Sequence, residues 1–177
     1  MKIIKFLLGA ALGVVLILVA IGFFLPSRWH VERSIVIKAP VEKIYPLVAN
    51  FKTGWSRWNA FDKEDPNIQF SFSGSEEGNG AMRSWTSTKL GNGYQKITKA
   101  DPQSGIDFVI SMDGGGLLIL GSLTMEPASD GTKVTWRDGG DMGDNPIYKI
   151  MGYLMDSMMG KSLERSLENM KEVAEAH

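Results

Sequence analysis

Few side chains in this sequence can move a proton, bind a metal or attack a carbonyl. There are two histidines and no cysteine. His30 follows the first apolar run and His177 is the last residue, so the body of the chain has no imidazole for a Ser-His-Asp triad, a general base or a metal cluster. The lack of cysteine removes disulfides, thiolate zinc sites and cysteine nucleophiles together. What remains is carboxylates and arginine set among apolar strand residues. Asp138 alternates with Val134 and Trp136, and Arg83 with Trp85, so each shares a face with large apolar neighbours. A buried Arg or Asp needs a partner, and an Arg83–Asp138 contact is one way to satisfy both. Asp138 or Asp107 could serve as a general base, but neither is accompanied by a second acid or an oxyanion donor. No catalytic residue, metal ligand or cofactor is assigned, and a non-enzymatic role is favoured. The run Asp138-Gly139-Gly140-Asp141-Met142-Gly143-Asp144-Asn145 lacks the ligand spacing of a calcium loop and reads as a solvated acidic loop.

Positioning these groups requires a scaffold, and the hydrophobic pattern supplies one. Val31 to Lys38 alternates as a first strand and ends at Ala39-Pro40, where proline suits the first turn of a helix. Val41, Ile44, Tyr45 and Val48 recur at helical spacing, and Pro46 is expected to kink or shorten that helix. An aromatic-rich bend or second short helix follows over Phe51–Asp62. The period then becomes two, giving strands around Ile68–Phe72, Ala81–Thr88, Tyr94–Ala100, Ile106–Met112, Leu117–Met125 and Thr132–Asp138. Gly91-Asn92-Gly93, Gly114-Gly115-Gly116 and Ser129-Asp130-Gly131 are hairpin turns between them. From Asn145 to Ala174 a helical stripe returns through Ile147, Ile150 or Met151, Leu154, Met158, Leu163, Leu167, Met170 and Ala174, with Asn145-Pro146 as its cap.

Ahead of this domain, Phe6 to Leu25 carries no charge, which as a helix of about 1.5 Å rise per residue covers a hydrocarbon core of about 30 Å. Lys2 and Lys5 precede it, and Pro26-Ser27-Arg28-Trp29-His30 supplies a stop, a cation and an interfacial aromatic. The expected organisation is a basic N-terminus (1–5), a transmembrane signal anchor (6–25), a juxtamembrane linker (26–30) and one folded domain (31–177). A cleaved signal peptide is the competing reading, since Ala20-Ile21-Gly22 offers small residues. The flanking cations place the N-terminus in the cytoplasm and the domain on the extracytoplasmic side of a single-pass protein. With 19 Lys+Arg against 20 Asp+Glu there is no basic stripe for a nucleic acid.

One strand, two short helices, six further antiparallel strands and a long C-terminal helix is the order of the helix-grip fold. Val36-Ile37-Lys38-Ala39-Pro40-Val41-Glu42-Lys43-Ile44-Tyr45, Trp55-Ser56-Arg57-Trp58-Asn59-Ala60-Phe61 followed by Asp62 and Asp65-Pro66, Gly80 before Trp85, and Gly131-Thr132-Lys133-Val134-Thr135-Trp136 carry a more specific signal. Through these residues, from Val31 to Glu172, the chain resembles the START-like superfamily SRPBCC, in its polyketide cyclase/dehydrase and lipid transport branch. The resemblance implies an α+β fold, with a curved antiparallel sheet of about seven strands wrapped around the long helix and a cavity between them for an apolar or amphipathic ligand.

On that expectation the lining comes from Phe70, Phe72, Arg83, Trp85, Phe108, Ile110, Leu123, Trp136 and Asp138 of the sheet. Met151, Leu154, Met155 and Met158 of the helix would face them, with Trp58 beside the mouth. Five of the ten methionines fall between 151 and 170, and flexible thioethers suit a wall that repacks around its ligand. Trp55, Trp58 and Phe61 read either as an aromatic gate or as a structural plug. Arg57 and Asp62 read either as a surface pair, the favoured reading, or as groups that face the headgroup of an amphipathic ligand. The partners expected are a hydrophobic small molecule or lipid and the membrane, with no nucleic acid. The alternatives are a cyclase, dehydratase or hydrolase using cavity carboxylates, and a protein-interaction module at the membrane.

Overall fold

The uncharged run forms a helix, α1 (Lys2–Phe24), which stops two residues before Pro26 because a residue preceding proline is driven out of the helical region. The computed structural model describes residues 2–176. Among them α1 is the one helix long and apolar enough to cross a membrane, and almost none of it is covered by the rest of the protein. Gly22 is the exception. A side chain there would meet the Cβ of Pro146 at 2.8 Å and its carbonyl carbon at 2.9 Å, so the last full turn of α1 lies directly on the start of the C-terminal helix.

Seven strands follow: β1 (Arg28–Ile37), β2 (Gln69–Ser73), β3 (Met82–Thr86), β4 (Gly93–Asp101), β5 (Gly105–Met112), β6 (Leu117–Ala128) and β7 (Gly131–Asp141). They form one antiparallel sheet in the order β1-β7-β6-β5-β4-β3-β2, so β2 to β7 are successive hairpins and β1 closes against the last of them. β1 begins at Arg28, three residues before the expected start. His30 is therefore paired with Gly139 inside the sheet, and only residues 25–27 separate it from α1. The expected acidic loop is likewise partly strand, since β7 runs to Asp141 before the chain turns through Gly143 (φ 65°).

Between β1 and β2 the chain crosses the concave face as α2 (Val41–Ala49) and two 3-10 turns, Trp55–Arg57 and Phe61–Lys63. Pro46 lies inside α2, which is only nine residues long. At three residues per turn, Trp55 and Trp58 fall on one side of the first 3-10 turn, and their rings lie 4.6 Å apart.

The chain ends in α3 (Pro146–Glu175), 30 residues and about 45 Å long. Asn145 caps it, its side-chain oxygen accepting from the Ile147 N–H at 2.9 Å. The buried face is Gly152, Met155, Gly160, Leu163, Ser166, Leu167, Met170 and Ala174. It packs along β1 and the adjoining edge of β7. Arg33 of β1 fastens it, with Nε 2.6 Å from Glu164 and Nη1 2.8 Å from Asp156. Its guanidinium lies in the space that a side chain on Gly160 would need.

Candidate functional site

The concave face is read most clearly rung by rung, because residues directly opposite in antiparallel strands share a face. One rung runs Phe72–Arg83–Gln95–Ile110–Ile119 across β2 to β6. The next runs Ile97–Phe108–Gly121–Asp138 across β4 to β7. Arg83 and Asp138 thus share the concave face but stand on different rungs with other strands between them, and they do not pair.

Arg83 is almost fully buried, and its partner is Asp62, which had been expected at the surface. The 3-10 turn Phe61–Lys63 brings the Asp62 carboxylate over the sheet, where Nη1 of Arg83 donates to both oxygens at 2.7 and 3.0 Å. Nε donates to Gln95 Oε1 at 2.9 Å. The guanidinium also lies 5.2–5.9 Å from the ring centres of Trp55, Phe70, Phe51 and Trp85, within range of cation–π attraction. Burial raises the Asp62 carboxyl above its ordinary value against the pull of Arg83, and lowers Arg83 without discharging a guanidinium. One guanidinium nitrogen bridging both carboxylate oxygens makes a charge-assisted contact. Arg57, the other half of the expected surface pair, is exposed.

Asp138 is 1% exposed and accepts from Trp136 Nε1 at 2.9 Å. Burial pushes its carboxyl up to about 7, and the indole N–H only partly offsets this. Gly121 makes room for it. A Cβ there would be 2.6 Å from the carboxylate and would strike the Phe108 ring, so both side chains lie across β6. Asp107, the other carboxylate considered for acid–base work, is exposed on the opposite face.

Between these polar groups the interior is filled. Trp55, Trp58, Trp136 and Phe108 are buried, with ring centres 4.6–5.8 Å apart in tilted and edge-to-face contacts. Trp58 Nε1 donates to the Leu47 carbonyl at 2.9 Å, and its own carbonyl accepts from Asn169. Ala60 N–H donates to Ser166 Oγ. The Trp-x-x-Trp segment is therefore bolted to α2 on one side and α3 on the other, which is the plug rather than the gate. Two donors are left without acceptors beside Arg83: Trp55 Nε1, on a ring that Arg83 faces, and Gln95 Nε2, on the amide that accepts from Arg83.

The lining expected from the sequence divides three ways. Trp58, Arg83, Phe108, Leu123, Trp136, Asp138 and Met155 are buried. Phe70, Trp85 and Ile110 are half-buried on the concave face, while Phe72 at the sheet edge is 43% exposed. Met151, Leu154 and Met158 stand on solvent. At about 100° per residue, their stripe lies roughly 140° around α3 from its buried face, so they turn away from the sheet. Sequence reasoning missed Asp62 as the charge partner and Gln95 altogether. Gln95 alternates with Ile97 on β4, the same signal that picked out Arg83 and Asp138.

Because α3 covers β1 and the edge of β7, the concave side of β2 to β5 is roofed by α2 and the 3-10 turns. A surface groove of about 220 Å³ opens at this end between Phe51, Phe72, Ala81 and Met82. A second of the same size lies at the β4–β5 turn, around Lys99, Asp101 and Asp107.

A curved antiparallel sheet gripping a long C-terminal helix agrees with what comparison with known proteins finds. The model for the family described as polyketide cyclase/dehydrase and lipid transport matches residues 28–175. The chain belongs to that family. Solved structures of the same fold include protein BH1534 from Bacillus halodurans, at 16% identity and a TM-score of 0.60 over 84% of this chain and 99% of that one. Protein CV1439 from Chromobacterium violaceum gives 13% and 0.59 over 84% and 99%. Ara h 8.0201 gives 16% and 0.54 over 83% and 97%. At such identities the likeness establishes the fold of this family member and no more. None of the curated proteins compared matches it.

Proposed function

We propose that this family member is a membrane-tethered binding domain for a hydrophobic small molecule or lipid. Residues 6–25 form the transmembrane anchor, and the domain that begins at β1 lies on the extracytoplasmic side. The observation that carries the binding reading is the half-buried apolar wall of Phe70, Trp85 and Ile110 around a buried Arg83–Asp62 pair, with an unspent Gln95 donor beside it. Such a wall accepts an apolar body, and the polar centre orients one oxygen-bearing end. Family membership supports the ligand class, and α1 supports the tether by its length and composition. Anchoring would raise the local concentration of a membrane-soluble ligand.

The test is titration of residues 27–177 with a long-chain fatty acid or an apolar dye, followed by tryptophan emission. Binding is expected in the micromolar range, about −8 kcal/mol. The double variant Arg83→Met/Asp62→Leu should keep the fold, because exchanging a buried ion pair for apolar groups of similar size is often neutral. It should lose the ligand's polar anchor. Unchanged affinity in that variant would show that the ligand does not use the Arg83–Asp62 pair, and absence of binding by the parent would show that the wall is ordinary core. Asp138 is what favours the enzymatic alternative, since a buried carboxyl titrating near neutrality suits proton transfer. An Asp138→Asn variant that binds normally but loses turnover of a bound ligand would support that alternative.

A further inference from the structure

The outward stripe of α3 is apolar only near the membrane span. Ile147 (61% exposed), Met151 (39%), Leu154 (45%) and Met158 (63%) fall within an arc of about 60°, which the rest of the protein leaves uncovered. Tyr148 and Tyr153 are also exposed on these first turns. Continuing along the same face, the next residues are Lys161 and Arg165, both exposed, and then Glu168 and Glu172. One face of one helix therefore passes from apolar to basic to acidic. Its apolar end begins at Pro146, the residue on which Gly22 of α1 rests. Asp156, the one acid between 146 and 160, is drawn aside by Arg33.

We infer that the first three turns of α3 dock on the surface of an anionic lipid bilayer, a reading that rests on α1 being a membrane anchor. The order of residues matches the order of layers in a bilayer. Aliphatic and thioether side chains at the anchored end enter the acyl boundary, Tyr148, about 90° around the helix from the stripe, sits at headgroup level, and Lys161 and Arg165 meet lipid phosphates. Glu168 and Glu172, repelled by the same surface, stand furthest from it. A second copy of the chain would also cover an apolar stripe, but it would not account for the basic-then-acidic continuation or for the position of the stripe at the end of the span.

The absence of native cysteine makes the test direct. Single variants Met151→Cys, Met158→Cys, Glu168→Cys and Glu172→Cys of the full-length protein are labelled with a polarity-sensitive fluorophore. They are reconstituted into phosphatidylethanolamine/phosphatidylglycerol vesicles that carry nitroxide lipids, and washed with carbonate. Probes at 151 and 158 should emit at shorter wavelength and be quenched several-fold more strongly than those at 168 and 172. Adding Lys161→Glu/Arg165→Glu should reduce that quenching. Water-like emission at 151 and 158 in protein retained after washing would overturn the docking and leave the anchor standing. A blue shift without nitroxide quenching would overturn it in favour of a protein partner. Loss of the protein on washing would overturn the anchor and the docking with it.

Discussion

Replacing Asp138 by Asn isolates one titration in the centre of the fold. The carboxyl is pushed up to about 7 by burial, whereas in the unfolded chain it has the ordinary aspartate value near 3.9. Between those values the folded protein holds a proton that the unfolded chain has released, so stability falls as pH rises from about 4 to about 7 and is level above that. At about 1.4 kcal/mol per unit, the full span amounts to roughly 4 kcal/mol as an upper figure, which relaxation around the charge reduces. Asn keeps an oxygen for the Trp136 N–H and does not titrate. Its amide hydrogens add a cost of about 1–3 kcal/mol if unpaired, but that cost is the same at every pH. The quantity to compare is therefore slope: urea unfolding followed by tryptophan emission from pH 4.5 to 8, for the parent and Asp138→Asn. Asp62, raised by burial, and Asp65, Asp101, Asp141, Asp156 and Glu175, lowered chiefly by hydrogen bonds, titrate in both proteins and cancel in the difference. The parent should lose stability relative to the variant as pH rises toward 7. Parallel profiles would refute the argument that Asp138 is folded as a neutral acid.

Gly121→Ala should destabilise by about 1–3 kcal/mol, because its methyl group would collide with the Phe108 ring and the Asp138 carboxyl; chemical denaturation reads this directly. Asp62→Ala, which strands the Arg83 charge, should cost about 3–5 kcal/mol, far more than the double variant Arg83→Met/Asp62→Leu, and a thermal melt of the two would show the inversion. Asn145→Ala removes the α3 cap and should cost about 1 kcal/mol, with hydrogen exchange accelerated in the first turn of α3 but not in its last.

The legible part of this molecule is the part governed by local rules. Period-two alternation located all seven strands, and the Asn145-Pro146 cap placed the start of α3, because pleat and cap chemistry act over a few residues. Long-range pairing was not legible. Arg83 and Asp62 are 21 positions apart, and their contact depends on where a 3-10 turn meets a sheet whose register no single strand reveals. The methionine stripe misled for a geometric reason. Its apolar positions step by three or four from Ile147 to Met158, then by five to Leu163, and five residues turn a helix by about 140°. What reads as one stripe is two, an outward one over the first turns and an inward one over the rest. Burial separates them: Met158 is 63% exposed and Leu163 is fully buried.

The interior poses a sharper question than the surface. A core already closed by Trp55, Trp58, Trp136 and Phe108 does not need Arg83, Asp62 and Gln95, taken as a group, for its stability. Apolar residues of similar volume would fill the same space without desolvating two charges or leaving Gln95 Nε2 and Trp55 Nε1 without acceptors. Each unmatched donor costs about 1–3 kcal/mol on the ordinary scale. A domain whose whole stability is commonly about 5–15 kcal/mol carries such groups at a substantial fraction of its margin. The two donors adjoin the same arginine, and that arginine lies in the half of the concave face that α3 leaves to the roof of α2 and the 3-10 turns. Trp29 Nε1 on β1 is a third buried donor without an acceptor, so it is the meeting of two such donors on one arginine, rather than a single orphaned group, that directs attention to function. A ligand that brought an acceptor oxygen to Arg83 and Gln95 would supply it. Binding should therefore raise stability by more than apolar burial alone. The triple variant Arg83→Met/Asp62→Leu/Gln95→Leu removes the unmatched amide donor together with the Arg83 Nε–H that Gln95 Oε1 accepts, so it should be at least as stable as the free parent and should lose the ligand. A triple variant markedly less stable than the parent would show that these groups belong to the architecture, and the argument would fail.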